Sequence, residues 1–210
     1  MKVKYRLLDA DAVINLSFAI VLTGYSDILM GFKPNDYSLE FLTTEEVAEE
    51  VNVNKIKRDI YGHMPLTKDQ LKEVNRFSTN FMKKTRKHKG NTLRLLNMLS
   101  STELKNLGEK SLTCLLFEKY KNQINDNDIA IVSNNKNDIS TIANKIRKFK
   151  DYKDTGFDLD KNVIGIHKFY YELYKKRLFN RNQLCYLIAV SNIDARIVNP
   201  ELEGIFKTIM

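Results

Sequence analysis

Acidic and amide side chains lie at the ends of apolar segments in four separate parts of this chain. They are Asp9 and Asp11 after YRLL, Glu50 in EEVAEEV, Glu109 in NLGEKSL, and Asn135 with Asp138 in IVSNNKND. Carboxylates gathered in one place repel each other unless a cation neutralises them. A hard divalent ion such as Mg²⁺ or Mn²⁺ takes oxygen ligands and retains waters for chemistry. The residue types therefore predict a Mg²⁺ or Mn²⁺ site able to cleave phosphodiester bonds.

Zinc is a poor fit to the same sequence. The three histidines are scattered, and the two cysteines are not spaced with them as zinc ligands usually are. A Ser or Cys nucleophile is not indicated either, since Ser17 and Ser111 have no evident base partner. Metal-assisted hydrolysis is the chemistry that the residues favour.

The elements that must bring these side chains together are short strands alternating with helices. The apolar segments VKYRLLDA, SLEFLTT, DIAIVS and VIGI are predicted as strands. This alternation is typical of an α/β fold with a mostly parallel sheet of four or five strands, flanked by helices. Active sites of such sheets lie at the carboxyl ends of the strands. We therefore expect Asp9, Glu50, Glu109 and Asn135 to converge at one edge of the sheet.

The composition limits the classes of protein to which this chain could belong. The chain has 210 residues, 43% of them hydrophobic, which predicts a single domain over 1–210 with a real core. The longest apolar stretch, residues 12–23, is too short to cross a membrane, and the charged start lacks the apolar region of a signal peptide. Two cysteines without a secretion signal favour reduced thiols. We expect a cytoplasmic protein with no membrane partner.

The positive charge is concentrated in one segment. Of the net charge of +8, nearly all lies between Lys68 and Leu99, where nine Lys or Arg residues accompany only two acids. This segment belongs to a predicted basic helical insert at about 52–100, in which Thr67 and Gln70 form a capping-box sequence. A dense cluster near the expected helix end is predicted to contact RNA phosphates: Lys83, Lys84, Arg86, Lys87 and Lys89. A solvated helix face is the alternative.

Taken together, the acidic motifs resemble those of the PIN-domain family of metal-dependent ribonucleases. LLDADAVINL is similar to the family's opening strand and helix, VAEEV to its second motif, GEKS to its third, and IVSNNKND to its fourth. The closing segments VIGIHKFYYELYKKRLF and NRNQLCYLIAV are also similar to the end of the family's fold. The resemblance covers most of the chain outside 52–100, and the insert indicates a specialised, toxin-like subgroup.

The resemblance implies a function and a set of roles. It implies a Mg²⁺- or Mn²⁺-dependent endoribonuclease, held in a bacterial toxin–antitoxin or defence system by a protein antitoxin. Asp9, Glu50, Glu109 and Asn135 would be the catalytic set, with Glu49 as the alternative to Glu50. The implied metal ligands are Asp9, Glu109, Asn135 and Asp138. RNA is the implied partner, and self-association into a homo-oligomer is a further expectation.

Asn134 and Asn135 stand where the family has acids in its fourth motif. An amide oxygen ligates a metal, but it brings no negative charge and cannot act as a base. Asp138, one helical turn further on, is a candidate replacement, and an inactivating Asp-to-Asn change is another explanation. The sequence thus also admits a catalytically degenerate module that binds RNA or protein, and a basic helical interaction module in which the acids are only surface residues.

Overall fold

The computed structural model describes residues 3–24, 39–53, 60–61, 64–99, 106–124 and 128–191. Within these ranges the chain alternates between strands and helices. The strands are β1 (Lys4–Leu8), β2 (Leu39–Thr44), β3 (Ile60–Tyr61), β4 (Met64–Pro65), β5 (Arg86–His88), β6 (Ile129–Val132) and β7 (Val163–Ile164).

The helices of the described ranges cover both faces of the sheet. They are α1 (Ala10–Leu22), α2 (Glu45–Val53), α3 (Lys68–Lys84), α4 (Arg94–Leu99), α5 (Leu107–Lys119), α6 (Lys121–Ile124), α7 (Lys136–Ile146), α8 (Leu159–Asn162), α9 (Ile166–Lys175) and α10 (Arg181–Ser191), with 3₁₀ turns at Gly90–Thr92 and Lys150–Tyr152. Among them, none combines the length and the apolar character needed to cross a membrane.

The main sheet has five parallel strands in the order β5-β2-β1-β6-β7. Leu7 is paired with Leu42 of β2 and with Ile131 of β6, so β1 lies at the centre of the sheet. β6 (IAIV) is buried at every position, as expected of a parallel strand covered on both faces. The predicted α/β class with a parallel sheet of four or five strands is confirmed.

The described core has two large layers, one on each face of the sheet, and a small cluster between α1 and α3. The first layer packs Leu8 and Phe41 of the strands against Leu16 of α1, Tyr170 of α9 and Leu187 of α10. The second layer packs strand residues such as Leu7 and Ile131 against α5 and α7. Helix α5 is buried almost all round, from Gly108 to Phe117. A helix this deeply buried fixes the position of its N-terminal residues relative to the sheet.

The segment predicted as a basic helical insert is only partly helical. Helix α3 begins at the predicted cap, where Thr67 Oγ1 accepts from the Gln70 N–H and Gln70 Oε1 accepts from the Thr67 N–H. Phe77 and Phe81 of this helix belong to the first core layer. Residues 54–59, 62–63 and 100 of the predicted insert lie outside the described residues.

The expectation that the whole cationic cluster lies on a helix end is wrong for Arg86–His88. Helix α3 ends at Lys84, and Thr85 caps it by donating from its N–H and its hydroxyl to the Phe81 carbonyl. The chain then forms β5, which pairs with β2 and becomes the first strand of the main sheet. The hydrogen bonds between β5 and β2 satisfy backbone N–H and C=O groups that would lack partners at a helix end. Gly90, shortly after β5, gives room to the Glu46 carboxylate, which a Cβ at position 90 would overlap.

Candidate active site

Asp9 lies directly after β1 and is held by hydrogen bonds on both carboxylate oxygens. Oδ1 accepts from the Ala10 N–H at 2.8 Å, which caps helix α1. Oδ2 accepts from the Ser133 hydroxyl at 2.7 Å, across the ends of β1 and β6. The side chain is only 4% exposed. Asp9 is therefore a fixed, buried carboxylate rather than a surface acid.

The surroundings of Asp9 disfavour its charge. Burial is the main cause that raises its pKa to about 7, and the nearby carboxylates of Glu109 and Asp11 raise it further. The hydrogen bonds from Ser133 and Ala10 act in the opposite direction. A carboxyl with this pKa is half protonated near neutral pH. The same site would hold the ionised form if a cation lay beside it.

Glu109 and Asn135 come from two other elements and meet at the same edge. Glu109 lies in the first turn of α5, and Asn135 precedes α7. Asn135 Nδ2 donates to Glu109 Oε1 at 2.9 Å and to Asp138 Oδ2 at 2.7 Å. One amide group thus bridges two carboxylates by hydrogen bonds. An amide rotation would turn Oδ1 toward the two carboxylates, which is favourable only if a cation lies between them.

The two neighbouring asparagines have different places. Asn134 Oδ1 accepts from the Ile166 N–H at 3.2 Å, which joins the end of β6 to the start of α9. Asn135 alone of the pair faces Glu109. A further asparagine, Asn106, belongs to none of the sequence motifs, yet its Nδ2 donates to Asp138 Oδ2 at 2.7 Å. Asn106 is the N-cap residue of α5, and its backbone is left-handed, with φ of 58°.

Glu50 reaches the site from α2, whereas its neighbour Glu49 points to solvent. Glu50 Oε1 accepts from the Gly108 N–H at 3.1 Å. A Cβ on residue 108 would lie 2.8 Å from Glu50 Oε2, so only glycine leaves the carboxylate its place. Burial, and then the Glu109 carboxylate, raise the pKa of Glu50, while the Gly108 N–H lowers it. Because Glu49 is exposed, the geometry favours Glu50 over the alternative.

Buried hydroxyl groups fix the elements that carry these acids. Thr44 Oγ1 and Ser111 Oγ lie 2.6 Å apart and join the end of β2 to the first turns of α5. Thr43 Oγ1 donates to the Leu8 carbonyl at 2.9 Å, next to Asp9. All three hydroxyl-bearing side chains are fully buried. The spacing between Glu50, Glu109 and Asp9 is thus set by the core and not by a surface loop.

The topology of the sheet explains why the acids meet here. After β1 the chain goes to β2 and β5 on one side, and it then returns to β6 and β7 on the other. The strand order therefore reverses between β1 and β6. Ligands of open α/β sheets bind in the crevice at such a switch point, beyond the carboxyl ends of the strands. The hydrogen bond from Ser133 to Asp9 crosses this crevice.

The donor set fits a hard divalent cation in its chemistry, although it is not closed around one point. Asp9, Glu50, Glu109 and Asp138 offer carboxylate oxygens, and Asn135 offers an amide oxygen. In the described ranges, however, no three Asp, Glu, His or Cys side chains are grouped tightly enough to hold an ion as they stand. The Asn135 amide lies between Glu109 and Asp138, where it keeps their charges apart. Metal binding at this site thus requires these side chains to move closer together.

The predicted RNA-binding cations are exposed: Lys83, Lys84, Arg86, Lys87 and Lys89. Arg86 pairs loosely with Glu40, at 3.4 Å between Nη1 and Oε1. Lys87 is in register with Thr43, and His88 with Thr44. Because the strands are parallel, Lys89 follows β5 at the same edge where Asp9 follows β1, about 10 Å away across two strand spacings. Of the cationic cluster, Lys89 is thus near the acidic site, whereas Lys83 and Lys84 lie on α3, before β5.

Comparison of the chain with models of protein families, with curated proteins and with solved structures gives no match. The function is therefore argued from the chemistry of the site, because a fold class alone does not specify an activity.

Proposed function

We propose that this protein is a Mg²⁺- or Mn²⁺-dependent ribonuclease that hydrolyses phosphodiester bonds of RNA. The observation that carries the proposal is the meeting of Asp9, Glu109 and Asn135, from three different elements, at the switch point of a parallel sheet. Glu50 lies beside them on a fourth element. A protein gains nothing in stability by burying repelling carboxylates together, so such a cluster indicates a functional site.

Each side chain of the cluster has a role in the proposal. Asp9 and Glu109 would be the principal metal ligands, and Asn135 and Asp138 would complete the set. A bound Mg²⁺ or Mn²⁺ supplies an activated water and neutralises charge on the scissile phosphate. Glu50 would serve as the base for the attacking water, since its raised pKa makes it a better base than an exposed glutamate. Gly108 holds Glu50 in place by its N–H.

The cationic cluster supports RNA as the substrate class. All five side chains are exposed, and Lys89 follows β5 at the edge of the sheet that also carries the acids. Lysine and arginine contacts to phosphate give affinity with little base specificity, and they position a strand on the protein. A strand bound across β5 and β2 would pass the acids at the end of β1. The resemblance to PIN-domain ribonucleases agrees with this proposal.

The test is RNA cleavage by the purified protein with Mg²⁺ or Mn²⁺ and with EDTA. We expect cleavage only with metal, and we expect Asp9→Asn and Glu109→Gln each to lower it at least a hundredfold. Glu49→Gln is the matched control, since Glu49 lies next to Glu50 but is exposed, and it should cleave as the wild type does. Equal cleavage by all four proteins, or cleavage in EDTA, would show that the acids are not the active site.

A second candidate, a degenerate fold that binds RNA without cutting it, is favoured by one observation. The Asn135 amide already bridges Glu109 and Asp138, which removes part of the need for a metal. RNA binding that depends on the cationic cluster, with no cleavage under any metal condition, would support this candidate. It would also remove the ribonuclease proposal for this chain.

A toxin held by a protein antitoxin is the biological setting that we propose. A ribonuclease that acts on cellular RNA harms its host unless it is inhibited. A basic side chain of an inhibitor placed among Asp9, Glu50 and Glu109 would gain affinity from their uncompensated charge. We expect expression of the protein to arrest bacterial growth, and Asp9→Asn to relieve the arrest. Equal growth with both proteins would contradict the toxin assignment.

A further inference from the structure

A second concave site lies at the opposite edge of the main sheet. A cavity of about 310 Å³ opens between the first residues of β1 and β2 and helix α9. Five cationic side chains line it: Lys4, Arg6, Lys168, Lys175 and Lys176. Lys4 and Asp9 are separated by the length of β1, so the cavity is about 16 Å from the acidic site. It takes no part in the proposed cleavage chemistry.

The floor of the cavity is a fixed ion pair. Arg6 Nη2 donates to Glu172 Oε1 at 2.6 Å, and Arg6 Nε donates to Glu172 Oε2 at 2.7 Å. Arg6 is 3% exposed and also donates to the Tyr5 carbonyl. A two-point pair of this kind is rigid and internally neutral. Glu172 is the one acid of the lining, and both of its carboxylate oxygens already accept hydrogen bonds from Arg6.

The remaining charge of the lining is positive. Lys4, Lys168 and Lys175 add three positive charges beside the neutral floor, and no second carboxylate is among the lining residues. The ammonium group of Lys175 lies over the Tyr171 ring, 5.2 Å from its centroid, which restricts where that charge can be. Like charges in one concavity repel unless an anion lies between them, and a concave wall strengthens their joint field. The cavity therefore fits a ligand with several negative charges.

The shape of the cavity narrows the class of that ligand. Its volume is at the lower end of the range for small-molecule sites, which is about 300–1,000 Å³. A folded RNA helix does not enter such a space. Leu39 and the edge of Tyr171 add an apolar wall beside the lysines. We propose that this cavity binds a nucleoside triphosphate, with the phosphates among the lysines and the nucleoside against the apolar wall.

The phosphates have two sources with the same chemistry. They belong either to a free nucleotide or to the 5′-triphosphate end of an RNA strand. Both present a triphosphate joined to one nucleoside, which is the part that the cavity accommodates. The two sources differ beyond that nucleoside, where only the RNA end continues as a strand. Competition between free nucleotide and RNA therefore distinguishes the two.

The experiment measures binding of ATP by calorimetry in EDTA, with the Asp9→Asn variant, so that the acidic site contributes neither metal nor cleavage. We expect saturable binding with a Kd below about 1 mM. The double variant Lys168→Gln/Lys175→Gln should weaken it at least tenfold. The matched control is Lys145→Gln/Lys148→Gln, which removes two exposed lysines at and just after the end of α7 that do not line the cavity and should leave the Kd unchanged. No saturable binding, or equal weakening by both double variants, would overturn the proposal.

Binding of further ligands tests the triphosphate part and the nucleoside part of the proposal separately. Inorganic triphosphate should bind more weakly than ATP, and adenosine should not bind measurably. Triphosphate binding as tightly as ATP would overturn the nucleoside part. An oligonucleotide with a 5′-triphosphate that displaces ATP, while its 5′-hydroxyl counterpart does not, would assign the site to an RNA end. Displacement by neither oligonucleotide would assign it to a free nucleotide.

Discussion

At the scale of single residues, Asp9 carries the largest electrostatic penalty of the candidate site. Its carboxylate is buried, near Glu109 and Asp11, and within the described part of the chain it accepts hydrogen bonds from Ser133 and Ala10. Its pKa of about 7, against 3.8 for an unburied aspartate, means that the folded protein keeps a proton that the unfolded chain releases. The free energy of unfolding therefore depends on pH through this residue.

The sign of this dependence is fixed. Between pH 3.8 and about 7 the unfolded state binds fewer protons than the folded state at Asp9, so stability falls as pH rises through this window. Above this pH window Asp9 is ionised in both the folded and the unfolded state, and its destabilising effect no longer changes with pH. Asp9→Asn has no such cost. In EDTA the variant should match the wild type near pH 4 and exceed it at pH 8, by up to about 4 kcal/mol.

Urea unfolding of both proteins at the two pH values measures this difference. Comparing them at each pH cancels the titration of every other group. A variant less stable than the wild type at pH 8 would mean that Asp9 is a net stabilising acid, which contradicts its burial beside Glu109 and Asp11.

Asn135→Asp tests the amide that bridges Glu109 and Asp138. Without metal, the new carboxylate would face two others and should lower the melting temperature. With Mn²⁺, the added charge should enlarge the metal-induced rise in melting temperature and increase RNA cleavage. Thermal unfolding with and without Mn²⁺ measures both effects. A variant that unfolds as the wild type does in EDTA, and responds no more to metal, would place residue 135 outside the site.

Gly108→Ala tests the positioning of Glu50. The added methyl group would lie too close to the Glu50 carboxylate and displace it. Alanine is the better helix former by about 1 kcal/mol, so folding should not suffer. We expect cleavage to fall at least tenfold. In a Glu50→Gln background the same change should have little further effect, because the group that it displaces is already disabled. Full additivity of the two losses would contradict the positioning role.

The sequence indicates several of these residues for physical reasons, but not all. Local sequence patterns indicate where strands and helices end. They therefore identify Asp9, an acid at the end of an apolar strand, and Glu109, in a Gly-Glu pair at the start of a helix. Choosing Glu50 over Glu49, or Asn135 over Asn134, requires the helix orientation and the three-dimensional partner. Asn106 contacts Asp138 from a distant part of the chain, and no local pattern indicates that contact.

At the scale of elements, the edge strand β5 is the main departure from expectation. Its sequence, RKH, has the charge of a solvated helix end, and only its pairing with β2 reveals it as a strand. Cations on an edge strand also discourage pairing with other chains. Arg86 and Lys87 thus have a structural explanation as well as a functional one. The other strands of the main sheet are recoverable from sequence because each contains adjacent apolar residues between polar segments, and β6 and β7 are apolar throughout.

Replacing all five cations of the cationic cluster by Gln tests whether they bind phosphates or only protect the edge strand. The residues are Lys83, Lys84, Arg86, Lys87 and Lys89. If the cluster contacts phosphates, this variant should bind RNA more weakly and show a shallower dependence on salt, by up to about five phosphate contacts. The cleavage pattern of RNA that still binds should change little, since the contacts are to the backbone. Fluorescence anisotropy at several salt concentrations is the measurement. The matched control replaces five exposed lysines elsewhere by Gln: Lys145, Lys148, Lys150, Lys153 and Lys161. RNA affinity that falls equally in both variants would indicate only a general effect of net charge.

At the scale of the whole molecule, one sheet separates two oppositely charged sites. The acids lie beyond the carboxyl ends of β1 and β6, whereas the lysine-lined cavity lies at the amino ends of β1 and β2. The fold class is predictable from the alternation of apolar strands and helices. The order β5-β2-β1-β6-β7 is not, because strand order depends on contacts between distant segments. That order places the switch point at Asp9.

The most direct test of the central claim is metal-dependent stability. Mn²⁺ at about ten times its dissociation constant should stabilise the wild type by about 1.4 kcal/mol, a rise in melting temperature of about 3–6 °C. Glu49→Gln should show the same rise, while Asp9→Asn and Glu109→Gln should show none. An equal rise in all four proteins, or no rise in the wild type, would contradict a metal site built on Asp9 and Glu109.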